Sequence, residues 1–123
     1  IMAAAPADYK VKNAFSQKVK SDTLTLELVK NPDIAKTLGE KKDERKLVVF
    51  SAETENLIEN AKGKLKKKHA DLVVANDVTV DGAGFDVDTN VATIIDNDGN
   101  EFESGKVSKR ELADVILDKV IAL

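Results

Sequence analysis

The chain of 123 residues is 42% hydrophobic and 33% charged, proportions that fit one soluble globular domain. The chain has no Cys and one His, and the absence of Cys excludes a disulfide framework, a thiolate zinc site and a cysteine nucleophile. No apolar run is long enough to span a membrane, so we predict a cytoplasmic protein without a membrane partner. The net charge of −3 is unevenly distributed: residues 1–68 hold 15 Lys and Arg against 10 Asp and Glu, whereas residues 69–105 hold none against 9. The basic segment favours an anionic ligand, and the overall acidity argues against a nucleic-acid partner.

The hydrophobic pattern predicts strands and helices in alternation. Residues 23–28 alternate with a period of two, which is typical of a strand with one buried face. Asn31-Pro32-Asp33 then supplies an N-cap, a proline for the first helical position and a first-turn acid, and Gly39 is the predicted helix stop. Residues 47–50 are continuously apolar, which favours a strand buried on both faces.

The second half continues the alternation and ends on a helix. Residues 55–68 carry apolar side chains at helical spacing, and residues 72–75 form a second doubly buried strand. Residues 93–102 are typical of a hairpin around an Asn-Asp-Gly turn, and residues 108–111 form a Ser-x-x-Glu capping box that begins the last helix. This order predicts the α/β class, with a parallel sheet and a late antiparallel hairpin.

This topology predicts a ligand beyond the carboxyl ends of the parallel strands. Residues 1–5 begin inside an apolar stretch, as if a buried strand had been entered partway, so we expect an N-terminal portion of the fold to be missing. The strand ends are then Ala4-Ala5 running to Asp8, Phe50-Ser51 and Ala75-Asn76-Asp77. Small or polar residues follow each of these ends, which favours a binding edge there.

The lysines near the end of the second predicted helix have two interpretations. Lys64 and Lys68 are spaced i, i+4 and project from one side, where two ammonium groups suit a triphosphate. A solvated face that offsets the helix dipole explains the same lysines. Lys18, which alternates with Val19 and Lys20, is likewise either a phosphate contact or a charge that protects an edge strand.

Three other side chains also have alternative interpretations. Asp8 either accepts hydrogen bonds from a ribose or caps a turn, and Phe50 is either a core residue or a stacking platform for a base. His69 falls in a predicted helix-to-strand loop without an evident partner, so we expect no catalytic role for it.

Six segments together carry a family resemblance. They are Ala4-Ala5-Pro6-Ala7-Asp8-Tyr9, Lys18-Val19-Lys20, Leu28-Val29-Lys30-Asn31-Pro32-Asp33-Ile34, Phe50-Ser51-Ala52-Glu53-Thr54-Glu55, Ala75-Asn76-Asp77-Val78, and Gly84-Phe85 with Asp88 and Asn90. Their order and spacing, over essentially the whole chain, resemble the phosphopantothenoylcysteine synthetase (phosphopantothenate–cysteine ligase) family. The combination of K-N-P-D-I, F-x-A-E-T and A-N-D-V makes the resemblance specific, whereas each motif alone is weak.

The resemblance implies a homodimeric ligase of coenzyme A biosynthesis with a Rossmann-like three-layer fold. In bacterial members CTP activates the carboxylate of 4'-phosphopantothenate as an acyl-cytidylate and releases pyrophosphate, after which the amine of L-cysteine displaces CMP. Eukaryotic members generally use ATP, but the motifs here look bacterial. In many bacteria a flavin-dependent decarboxylase is fused to this part, and we expect no flavin to be bound by the part present here.

The resemblance also implies the binding residues. Lys18, Lys64 and Lys68 match the nucleotide-contacting lysines, with Lys18 expected to act in catalysis as well. The other implied nucleotide contacts are Met2, Ala3, Ala4, Asp8, Asn31, Pro32, Asp33, Ile34 and Phe50. A helix N-terminus after residues 31–34 would suit an anion. Mg²⁺ is expected as the counterion of the triphosphate, and its ligands stay open, although Asp77 and Asp88 are candidates.

Two motifs of the family are absent from this sequence. They are a glycine-rich G-P-T-R/S-E type loop and an S-N-x-S-S-G-K-M/L-G motif, which carry much of the phosphopantothenate site. We therefore expect residues 1–123 to be the C-terminal portion of one synthetase domain, folding poorly and inactive by themselves. The alternative is a non-catalytic nucleotide-binding or dimerisation module of the same fold.

Overall fold

A computed structural model describes residues 1–80 and 87–123 of the chain. Gly84 and Phe85 of the sixth resembling segment lie outside these residues. The described elements alternate along the chain much as the hydrophobic pattern predicts. They are β1 (Tyr9–Val11), β2 (Leu28–Lys30), α1 (Ile34–Glu40), β3 (Val48–Glu53), α2 (Leu57–Lys67), β4 (Leu72–Asp77), β5 (Thr89–Asp96), β6 (Glu101–Ser108) and α3 (Lys109–Ile121).

Four of these strands form the main sheet, in the order β3-β4-β5-β6. β3 and β4 are parallel, with Phe50 opposite Val74, and Met2 adds a parallel bridge to Val49 at the free side of β3. The β4–β5 and β5–β6 pairs are antiparallel, so the described sheet is mixed. The late hairpin is confirmed, and Gly99 closes its turn at a φ of 85°, a conformation that suits glycine.

Helices cover both faces of the sheet, which makes three layers. On one face Ala35 of α1 and Ala61 and Leu65 of α2 contact alternate sheet residues such as Val49 and Val73. On the other face Leu112 and Ile116 of α3 cover the intervening residues of the same strands. The three-layer α/β architecture is therefore confirmed, and no helix among the described elements is long and apolar enough to cross a bilayer.

The strand predicted over residues 23–28 is wrong. Among residues 21–30, all of which the structure describes, the strand is Leu28–Lys30, and it pairs with β1 in a two-stranded arm. Leu24, Leu26 and Leu28 are 53%, 45% and 53% exposed, so the alternating pattern has no buried face within the described chain. A period of two defines a strand only where a neighbouring strand supplies hydrogen bonds and a core covers one face.

The helix predicted after Asn31 begins later than expected. Its N-cap is Asp33, whose Oδ1 accepts a hydrogen bond from the Lys36 amide at 3.0 Å, so Asn31 is not the cap and Pro32 is not helical. Gly39 was the predicted stop, but it lies inside α1 and is buried. A Cβ on Gly39 would lie 1.8 Å from the Lys68 carbonyl oxygen, so glycine is needed here for a close approach between α1 and the end of α2.

Candidate functional site

An open cleft of about 980 Å³ lies at the carboxyl ends of β3 and β4. This is the edge at which ligands bind in open α/β sheets. All but one of the nucleotide-binding residues expected from the resemblance line this cleft. They are Met2, Ala3, Ala4, Asp8, Asn31, Pro32, Asp33, Ile34, Phe50, Lys64 and Lys68. The structure thus brings together residues that are separated by up to 66 positions in the sequence.

Lys18 is the exception. It is exposed in the connection between β1 and β2 and is not among the described residues that line the cleft. Within this connection Lys12 forms an ion pair with Glu27 at 2.7 Å, and the neighbouring apolar side chains Phe15 and Leu24 are 59% and 53% exposed. The expected catalytic role of Lys18 stays a prediction.

Backbone hydrogen bonds fix the wall formed by the first residues. The Met2 amide donates to the Val48 carbonyl at 2.9 Å, and the Asn31 amide donates to the Asp8 carbonyl at 2.8 Å. The side-chain amide of Asn31 also donates to the Ala7 carbonyl at 2.8 Å. The exposed Asp8 carboxylate is thus presented at the cleft by a segment that is held at both of its ends.

A second wall joins the start of α1 to the end of α2. Lys68 Nζ donates to Asp33 Oδ2 at 2.5 Å, while the other carboxylate oxygen of Asp33 caps α1. The protein's own carboxylate therefore lies at the start of α1 and pairs with Lys68. The contact with the nucleotide that the resemblance implies for residues 31–34 stays a prediction.

Asp33 links the stability of this wall to pH. The hydrogen bond from Lys68, followed by that from the Lys36 amide, holds the pKa of Asp33 below its ordinary value. A carboxyl whose pKa is lowered by folding stabilises the protein above its unfolded pKa of about 3.9 and loses that contribution as the pH falls through the folded value. Stability should therefore decline below about pH 4 in part through this group.

Asp33→Asn tests this dependence, because Asn keeps an N-cap oxygen but cannot pair with Lys68 as an anion. We expect the variant to melt below the wild type at pH 7 and to lose less stability between pH 7 and pH 3. Asp22→Asn is the matched control, since Asp22 is exposed and forms no ion pair with the described residues. Parallel Tm-against-pH curves for Asp33→Asn and the wild type would contradict the assignment.

Lys64 reaches the cleft from the preceding turn of α2. Its Nζ lies 3.4 Å from Glu53 Oε1, at the end of β3. Burial raises the pKa of Glu53, but the hydrogen bond from Ser51 and the charge of Lys64 outweigh it, so this pKa lies below its ordinary value. Glu53 is therefore an anion at neutral pH and a poor proton acceptor.

The opposite sheet face contributes Phe50 and Asn76. Strand periodicity places Phe50 with the α3 core, and Ala52 pairs with Asn76 on the neighbouring strand. Phe50 is half-buried, packs against the core under α3 and also lines the cleft. This position is compatible with both predicted roles, a core residue and a stacking platform for a base. The Asn76 Oδ1 atom is buried and accepts no hydrogen bond from the described chain.

Asn76, Glu53, Ser51 and Asn60 also line the cleft, although none of them is among the nucleotide contacts that the resemblance implies. For Asn76 and Glu53 a signal was present, because both belong to the resembling motifs and follow predicted buried strands. Asn60 had no such signal, since its contact with Glu53 depends on how α2 crosses β3.

The described residues contain no cluster of three or more His, Asp or Glu side chains that could hold a metal ion. Of the two candidate ligands, Asp77 accepts hydrogen bonds from the amide and hydroxyl of Thr79, at 2.9 Å and 2.5 Å. Neither Asp77 nor Asp88 is among the described residues lining the cleft.

The fold and the cleft define a three-layer α/β domain with a basic binding edge. The chain belongs to the family described as DNA/pantothenate metabolism flavoprotein C-terminal domain, whose model matches residues 1–123. The predicted family resemblance is thereby confirmed.

Individual relatives agree with this assignment. The Coenzyme A biosynthesis bifunctional protein CoaBC of Bacillus subtilis is 46% identical over 100% of this chain and 31% of its own length. Its counterpart in Vibrio parahaemolyticus is 40% identical over 98% of this chain and 31% of its own length. The crystal structure of the C-terminal domain of a CoaBC protein matches with a TM-score of 0.74 at 37% identity, over 95% of this chain and 50% of that chain. The chain thus spans about a third of the length of these two curated relatives and is homologous to part of a coenzyme A biosynthesis protein.

Proposed function

We propose that this chain is the C-terminal portion of the synthetase domain of a phosphopantothenate–cysteine ligase that uses CTP, and that its cleft binds the nucleotide. The observation that carries the proposal is the convergence of Lys64, Lys68 and Asp8 on one cleft at the carboxyl edge of the sheet. Ammonium groups there suit a triphosphate, and a carboxylate suits ribose hydroxyls. By itself the chain is proposed to bind without completing the reaction.

The proposed reaction brings two phosphate-bearing substrates together, so positive charge must offset their repulsion. The carboxylate of 4'-phosphopantothenate attacks the α-phosphorus of CTP, the bond to the β-phosphate breaks, and pyrophosphate leaves. Lysines placed along the triphosphate stabilise the charge that develops on this leaving group. The amine of L-cysteine then attacks the acyl carbon, CMP leaves, and the amine loses a proton as the amide forms.

Two further components belong to the proposal. Mg²⁺ is proposed to enter with the triphosphate, held by phosphate oxygens and water, because the described cleft offers no metal cage.

A homodimer is proposed because the β1–β2 arm exposes apolar side chains that a second copy would cover, among them Tyr9, Val11 and Leu28. A fused or separate flavin-dependent decarboxylase stays an expectation, as does the absence of flavin from this part.

Ligand-dependent stabilisation of the full-length protein tests the nucleotide site. CTP should raise Tm more than ATP, GTP or UTP at equal concentration, since only a ligand of the folded state stabilises it. Pyrophosphate release with CTP, 4'-phosphopantothenate and L-cysteine tests the reaction. Stabilisation by CTP without pyrophosphate release would favour the non-catalytic module, and no stabilisation by any nucleotide would overturn the proposal.

Lys64→Met should weaken CTP binding by about tenfold, because it removes one charge-assisted contact to phosphate. Titration calorimetry measures the affinity directly. Lys66→Met is the matched control: Lys66 lies on the same helix and loses the same charge, but it is exposed and does not line the cleft. Equal losses in the two variants would point to a diffuse charge effect instead of a phosphate contact.

A further inference from the structure

Glu53 lies at the centre of a hydrogen-bond network on the basic side of the cleft. Its Oε1 accepts from the Ser51 hydroxyl and from Lys64 Nζ, the latter at 3.4 Å, and its Oε2 accepts from Asn60 Nδ2 at 3.1 Å. We propose that Glu53 is a positioning residue that fixes the Lys64 ammonium group where it meets a phosphate of the ligand. This inference rests on the proposed function, in which Lys64 binds a phosphate.

The network requires a carboxylate at position 53. Ser51, Asn60 and Lys64 together donate to both carboxylate oxygens of Glu53, so both oxygens must act as acceptors. A glutamine offers one acceptor and turns its own N–H groups toward Asn60 or toward Ser51 and Lys64. Asn60 cannot resolve this by flipping its amide, because the same Nδ2 also donates to the Glu55 carbonyl at 2.9 Å.

The geometry assigns different tasks to the partners of Glu53. Ser51 is 1% exposed, so its hydroxyl holds the carboxylate from inside the sheet, while Asn60 holds it from α2. Lys64 makes the longest contact of the three and has a side chain that is 33% exposed. The lysine can therefore turn toward a ligand while the carboxylate stays in place.

Lys68, another of the lysines that line the cleft, shows why Lys64 needs a partner. Lys68 is held by Asp33 at 2.5 Å, and the two lysines lie one turn apart on α2. Without an anion nearby, like-charge repulsion would turn a flexible lysine stem away from Lys68 and out to solvent. Glu53 offsets that repulsion and keeps the two ammonium groups on the same side of the helix.

A double-mutant cycle on the full-length protein tests the proposal, with inorganic pyrophosphate as the probe in titration calorimetry. Lys64→Met should weaken pyrophosphate binding about tenfold and Glu53→Gln about fivefold. Glu53→Gln should cause no further weakening in the Lys64→Met background, because no ammonium group is left to position. Glu55→Gln is the charge-matched control and should leave binding within about twofold, since the Glu55 carboxylate makes no hydrogen bond to the described residues.

Turnover supplies a second readout that loss of stability alone would not produce. Glu53→Gln should raise the KM for CTP more than it lowers kcat. If that variant folds poorly, Asn60→Ala at its exposed site on α2 removes one donor to Glu53 and should weaken pyrophosphate binding about twofold, again only when Lys64 is present.

The outcomes separate this proposal from the proposed function. If Lys64→Met weakens pyrophosphate binding but Glu53→Gln leaves it unchanged or tightens it, the positioning role is overturned and the proposed function still stands. Equal weakening by Glu53→Gln with and without Lys64 also overturns the positioning role. Absence of pyrophosphate binding by the wild type overturns both.

Discussion

Gly39→Ala is expected to destabilise the protein by about 2–4 kcal/mol, although alanine is the better helix former by about 1 kcal/mol. The new Cβ would lie 1.8 Å from the Lys68 carbonyl oxygen, 2.9 Å from its carbon and 3.1 Å from His69 Cβ. Two of these atoms are backbone, so no rotamer change relieves the overlap. Either α1 or the end of α2 must therefore move.

Urea denaturation measures the expected loss as a lower transition midpoint at constant slope. Gly63→Ala is the matched control on α2, because nothing lies within 4 Å of a Cβ at Gly63. This control should gain up to about 1 kcal/mol from helix propensity. If both substitutions stabilise the protein, the close approach of α1 to α2 is not as described.

The fold was predictable wherever hydrophobic pattern and local chemistry agreed. β3 and β4 were predicted from continuous apolar runs because strands covered on both faces need them. The start of α3 was predicted because its capping box is local, and the structure shows both hydrogen bonds of that box between Ser108 and Glu111. The error at residues 23–28 arose because the same alternation occurs where no core covers it.

The site was predictable as a location but not as a network. Lys64 and Lys68 were placed together because i, i+4 spacing fixes a helix face. Their partners Glu53 and Asp33 were not predicted, since those pairs depend on the packing of α2 against β3 and α1. The function of Gly39 was missed for the same reason: its contact lies 29 positions away, whereas a helix stop is the interpretation that local sequence favours.

Asn76→Ala is expected to weaken ligand binding about tenfold while leaving Tm unchanged or slightly raised. The Asn76 Oδ1 atom is buried without a hydrogen bond from the described residues, so removing it breaks no bond that the folded chain makes. A buried acceptor without a partner costs about 1–3 kcal/mol, and a ligand donor would recover that free energy. Loss of binding without loss of stability is the signature expected of such an atom.

Comparing ligands that carry a donor for Asn76 with one that lacks it tests this role directly. CTP and 4'-phosphopantothenate can offer Asn76 N–H and alcohol O–H donors, which pyrophosphate lacks. Asn76 also lies on the α3 side of the sheet, away from Lys64 and Lys68. Pyrophosphate affinity should therefore stay within about twofold of wild type, whereas CTP or 4'-phosphopantothenate should bind about tenfold more weakly. Asn97→Ala in the exposed hairpin turn is the control, and a lowered Tm with unchanged affinities would make Asn76 a structural residue instead.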